Sequence, residues 1–170
     1  MIKQNCKGRV TMLIEDQYII SKKTLAIIPA SAIDYHAMAL ETSKTTYVKQ
    51  TPLEIIQHNC INRGATFHGR RVASQQLLGK KQKVPILMSE RPVRYVFPTQ
   101  SPNNFHCSWI IANHVFTIES YKSEHATILQ TTIYFKSKQT LHLMESTYQI
   151  KQQYQQVLAL HQALKNNLFH

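Results

Sequence analysis

The chain has 170 residues, of which 43% are hydrophobic, and its twenty Lys and Arg against nine acids give a net charge of +11. That much apolar side chain excludes a disordered basic tail, and no apolar run approaches the ~20 residues of a membrane-spanning helix. The start, Met-Ile-Lys-Gln-Asn-Cys, has no apolar secretory stretch, so one intracellular, cytoplasmic α+β domain over residues 1–170 is expected.

Up to residue 50, short β-prone runs alternate with polar breaks: Val10 to Ile14, Tyr18 to Ile20, Thr24 to Ile28 and Thr45 to Val48. Antiparallel strands and hairpins are expected there. Thr51-Pro52-Leu53-Glu54 predicts a helix start: Thr51 caps, Pro52 sits where its missing N–H is harmless, and Glu54 completes a capping box. This helix should run over 52–60 and stop before Gly64. A second is predicted over 70–78, ending at Gly79. Strands are predicted at Val84 to Met88, Val93 to Phe97, Trp109 to Ile111, Val115 to Tyr121, Ile128 to Phe135 and Thr140 to Met144. A C-terminal helix follows over 146–168, with Ile150, Tyr154, Val157, Leu158, His161, Leu164 and Leu168 at helical spacing. The fold class is thus α+β, a mostly antiparallel sheet with two short helices and a C-terminal one, whose apolar stripe packs on the sheet or on a second copy.

The charge is concentrated. Eight bases, Arg63, Arg70, Arg71, Lys80, Lys81, Lys83, Arg91 and Arg94, share the segment 63–94 with one acid, Glu90. Five of the six arginines lie there, and so do three of the four glycines, Gly64, Gly69 and Gly79. Arg offers a planar fork to phosphate and suits narrow minor grooves, while Gly lets backbone approach a ligand closely. Two arginines in the first turn of a helix conflict with its macrodipole, a conflict that a bound phosphate relieves. A plain loop with solvated arginines is the alternative. A membrane partner is not expected, because the cations do not lie along one amphipathic helix.

Metal and catalytic chemistry find less support. Cys6, Cys60 and Cys107 show no CxxC spacing and are read as reduced thiols. The pairs His58/Cys60 and His106/Cys107 do not have the spacing of zinc modules. The acids are scattered, where metal-dependent phosphodiester cleavage needs them clustered. No cofactor and no enzymatic activity are expected, with a metal-independent nuclease using His68 or His106 left as an alternative.

Four blocks then resemble the signature of the ComK family of competence transcription factors. They are Cys60-x-x-x-Gly64-x-x-Phe67-x-Gly69-Arg70-Arg71-x-Ala73, Val84-Pro85-Ile86, Val96-Phe97-Pro98-Thr99-x-Ser101 and Cys107-Ser108-Trp109-Ile110. The resemblance is firmest over residues 51–115. It implies a DNA-binding activator of DNA-uptake genes that reads paired A/T-rich boxes through the minor groove as a homodimer or dimer of dimers. It also implies RNA polymerase and a Clp protease adaptor of the MecA type as partners, and a nucleoid location. Where better-known members carry a longer charged tail, this chain has a Gln-rich helix ending Asn166-Asn167-Leu168-Phe169-His170.

Both lines lead to one expected DNA-binding set: Arg63, Gly64, Gly69, Arg70, Arg71, Lys80, Lys81, Lys83, Arg91 and Arg94. Arg70 and Arg71, with Arg63, are expected at the minor groove, Gly64 and Gly69 near phosphate, and the three lysines on the flanking backbone. Trp109 beside Ile110 and Ile111 reads as core, an intercalating wedge being its alternative. An RNA or single-strand binder, which would stack bases on exposed aromatics, and a pure interaction module remain the other classes.

Overall fold

Short β-prone runs form ten strands among the described residues, and most of them pair with a near neighbour in sequence. In the computed structural model, which describes residues 12–122, 124 and 130–167, the strands form two sheets. In chain order the elements are β1 (Ile14–Glu15), β2 (Thr24–Pro29), β3 (Ala37–Glu41), β4 (Thr45–Val48), α1 (Pro52–Ile61) and α2 (Phe67–Leu78). They continue with β5 (Ile86–Glu90), β6 (Val93–Pro98), β7 (Trp109–Ile111), β8 (Val115–Tyr121), β9 (Gln130–Phe135), β10 (Thr140–Leu143) and α3 (Thr147–Asn167). The larger sheet has the order β1-β4-β3-β2-β7-β6-β5 and the smaller β10-β9-β8. Every pairing is antiparallel except β1 with β4. The α+β architecture with a C-terminal helix is as the sequence implies.

The pleat sends alternate residues of the large sheet into two cores. Ile27, Ala39, Ile86, Val96, Trp109 and Ile111 meet α1 on one face through Ile55, Ile56 and Cys60. Ala26, Tyr95, Phe97 and Ile110 meet the small sheet and α3 on the other, through Ile118, Ile133, Ile150, Val157 and Leu160. Helix α2 belongs to both. Phe67 packs in the first core and Leu77 and Leu78 against the second, so α2 passes the open edge of β5 from one face to the other.

Helix α1 begins as its local sequence dictates. Thr51 Oγ1 accepts the Glu54 N–H at 3.3 Å, and Glu54 Oε2 accepts the Thr51 N–H at 2.8 Å. Thr51→Ala should lower stability by about 1 kcal/mol, read from the urea midpoint, because it leaves one helix-end donor without its cap.

Four expectations are corrected. Tyr18 to Ile20 is no strand, although Tyr18 and Ile20 are buried. Its backbone is satisfied by side chains instead: Gln50 Oε1 accepts the Tyr18 N–H, and Asn59 of α1 accepts the Ile20 N–H and donates to the Tyr18 carbonyl. Strand β3 was not predicted. Ala-Met-Ala-Leu-Glu is helix-favouring in isolation, and becomes strand by pairing on both sides, with small Ala37 and Ala39 under α1. Helix α2 starts at Phe67, not near Arg70, because Thr66 caps it. On α3 the buried stripe is Ile150, Gln153, Val157 and Leu160, leaving Leu158 exposed. Three predicted segments run past the described residues, at Val10–Thr11, Ile128–Leu129 and Leu168; the described part of the first is strand only from Ile14.

Candidate nucleic-acid interface

The glycines of the basic segment have local causes. Gly64 (φ +80) and Gly79 (φ +61) take left-handed backbone that L side chains rarely adopt, the first in the α1–α2 turn and the second as the C-cap of α2. Gly69 lies under the cap: its N–H donates to Thr66 Oγ1 at 3.0 Å, and an added Cβ would sit 3.2 Å from that oxygen.

The arginines divide into two groups. Arg70 reaches from α2 to the β5 edge, donating from Nη1 to the Leu87 carbonyl at 2.6 Å and from Nη2 to the Arg63 carbonyl at 3.2 Å. Leu87 is on an edge strand, so this guanidinium satisfies a carbonyl that would otherwise be open to another chain. Arg63 donates to Ser89 Oγ at 3.2 Å and to the Ile20 carbonyl at 3.3 Å, tying the α1–α2 turn to β5 and to the segment before β2. Arg94 is the cross-strand partner of Ser89 and only 7% exposed. Burial, and then the neighbouring Arg63 charge, hold its pKa below the usual Arg value. All three are anchored in the body of the fold.

The remaining five cations face outward. Arg71 is half-buried on α2; Lys80 and Lys81 are exposed and Lys83 is half-exposed, all before β5; Arg91 is exposed in the β5–β6 turn. Lys83 has φ +50, and the Lys81 carbonyl accepts from Gln75 of α2 at 2.6 Å, so the connector folds back on the helix. Lys83 lies three residues before β5 and Arg91 directly after it. Among the described residues the one ion pair joins Lys49 to Asp16 at 2.7 Å. Among the described residues, no carboxylate therefore lies within ion-pair distance of any of the eight window cations.

Topology adds cations that linear spacing does not reveal. Because β7 lies between β2 and β6, the start of β2, the end of β7 and the start of β6 share one end of the sheet. Lys22 and Lys23 precede β2, and His114 follows β7 in a 3-10 turn, Ala112–His114. Asn113 fixes the junction: its Oδ1 accepts the Tyr95 N–H at 3.0 Å and its Nδ2 donates to the Val93 carbonyl at 3.0 Å. Lys136 closes the group, its Nζ donating to the Asn113 carbonyl at 2.8 Å and its N–H to the His114 carbonyl at 2.9 Å.

Trp109 is fully buried and edge-on to Phe67 at 5.9 Å, so it is core and no wedge. Cys60 and Cys107 are buried too, and burial pushes both thiols up to about 11, far from a reactive thiolate. No three His, Cys, Asp or Glu side chains converge on a metal position among the described residues. None of the helices there is long and apolar enough to cross a membrane.

The family model described as ComK protein matches residues 15–168. A protein named Competence transcription factor from Bacillus subtilis (strain 168) is 28% identical over 102 residues, which is 59% of this chain and 53% of that protein. The match spans about half the length of this relative. No solved structure matches the chain.

Proposed function

The chain belongs to the ComK family, and from that premise we propose that it is a DNA-binding activator of competence genes, reading A/T-rich boxes through the minor groove. Family membership together with a one-sided surface supports the reading. Five outward cations, Arg71, Lys80, Lys81, Lys83 and Arg91, flank the β5 edge without a carboxylate partner among the described residues. Cations before and after β5 give this edge a positive stripe along which a DNA backbone can lie.

In this reading Arg71 enters the groove and the lysines bind the flanking backbone. Arg63, Arg70 and Arg94 hold the platform, and the glycines serve its turns more than they approach phosphate. A/T base pairs show only acceptors in the minor groove, where the potential is most negative, which favours a guanidinium. Pairing of copies on two boxes follows the family expectation of a homodimer or dimer of dimers.

Groove choice is tested by replacing A·T with I·C pairs, which keep the minor-groove acceptors and change the major groove. Affinity should survive that replacement and fall with G·C. Preference for single strands over duplex would favour the RNA or single-strand class instead.

A further inference from the structure

The end of the sheet gathers basic side chains that the outward cations do not explain. Arg63 and Arg94 meet around Ser89, one by a hydrogen bond and the other as its cross-strand partner. Beside them stands half-buried His114, against the Lys22 carbonyl, with Lys136 tied to the adjacent Asn113. The elements packed here supply Lys22 before β2, Arg63 after α1, Arg94 on β6 and Lys136 after β9, and no carboxylate pairs with any of these cations among the described residues. A buried arginine with only like charges around it is a costly arrangement unless an anion completes it.

We propose that Arg63, Arg94, His114 and Lys136 form a binding site for one phosphate of the DNA backbone, and that His114 takes up a proton as the phosphate enters. The Arg94 guanidinium supplies a fork for the phosphate oxygens, Arg63, held to Ser89 and the Ile20 carbonyl, adds its charge, and the imidazolium adds a further charged donor. The claim rests on the DNA-binding reading above and adds a pH dependence to it.

The direction of that dependence follows from the charges. Burial first, and then Arg94 and Lys136, hold His114 below its ordinary 6.5, while the Lys22 carbonyl pulls the other way. The free protein therefore binds fewer protons than the unfolded chain and loses stability as pH falls below about 6.5. A phosphate reverses the local sign, raising the His114 pKa. Affinity then rises as pH falls through the interval between the bound and free values.

The test follows the His114 ring by NMR through a pH titration of the full chain. Three conditions are compared at matched ionic strength: chloride, inorganic phosphate and an A/T-rich duplex. The duplex should raise the His114 pKa, and its dissociation constant should tighten roughly threefold to tenfold from pH 8 to pH 6. His114→Gln, which keeps a donor to the Lys22 carbonyl, should remove that part of the pH dependence and still bind. Arg94→Met, if folded, should abolish the pKa shift. Duplex binding with an unmoved His114 pKa overturns the proposal and leaves the DNA reading standing. A shift with inorganic phosphate and none with bound duplex also overturns it, making the cluster a free-anion site. Absence of duplex binding at every pH removes the DNA reading itself.

Discussion

Raising the salt from about 50 to about 200 mM should weaken binding to an A/T-rich duplex roughly 500-fold. The number comes from the division among the cations. Eight bases crowd the segment 63–94, and six to eight phosphate contacts would give a slope of log affinity on log salt of about −5 to −7. Arg63 and Arg70 already hold internal carbonyls, and Arg94 is buried. The five outward cations give a slope of about −4.5, and a phosphate bound by the proposed cluster around Arg94 steepens it to about −5.4. Replacing Lys80, Lys81 and Lys83 with Gln should flatten the slope by about 2.7 without changing the preference for A/T. A slope near zero in fluorescence anisotropy would sink the nucleic-acid assignment.

What could be read from the sequence follows how local each cause is. The α1 start was legible because Thr51, Pro52 and Glu54 complete their geometry within four residues. Strand β3 was not, because Ala-Met-Ala-Leu-Glu has no strand signal of its own and is fixed by partners on both sides. The basic segment was legible as composition, but its internal division was not. Nothing in adjacent Arg70 and Arg71 says that one bonds to β5 and the other faces outward; the position of α2 across the sheet edge decides it. Lys22 and His114 were missed because β7 between β2 and β6 brings them to the arginines, and Lys136 because it bonds from the small sheet to the Asn113 and His114 carbonyls. The family blocks proved largely architectural. Cys60, Phe67, Ile86, Val96, Cys107 and Trp109 share one core, and Thr99 Oγ1 accepts the Ser108 N–H at 3.0 Å. A signature of this kind identifies the scaffold more directly than the groove-facing side chains.

Arg70 and Arg71 should therefore separate cleanly on mutation. Arg70→Met should cost about 2–4 kcal/mol in urea unfolding. It removes charged donors from the Leu87 and Arg63 carbonyls and opens the β5 edge to aggregation. Any loss of DNA binding in that variant would track the folded fraction. Arg71→Ala should leave stability within about 0.5 kcal/mol and weaken the A/T-rich complex about tenfold. Arg71→Lys is the sharper probe. Lysine keeps the charge and so the salt slope, but it is a compact, strongly hydrated cation without the planar fork that suits a narrow groove. The expected result is a retained slope with a reduced preference for A/T over G/C. Equal affinity and preference in Arg71→Lys would place Arg71 on the phosphate backbone and move groove reading to Arg91, the other outward arginine of the segment.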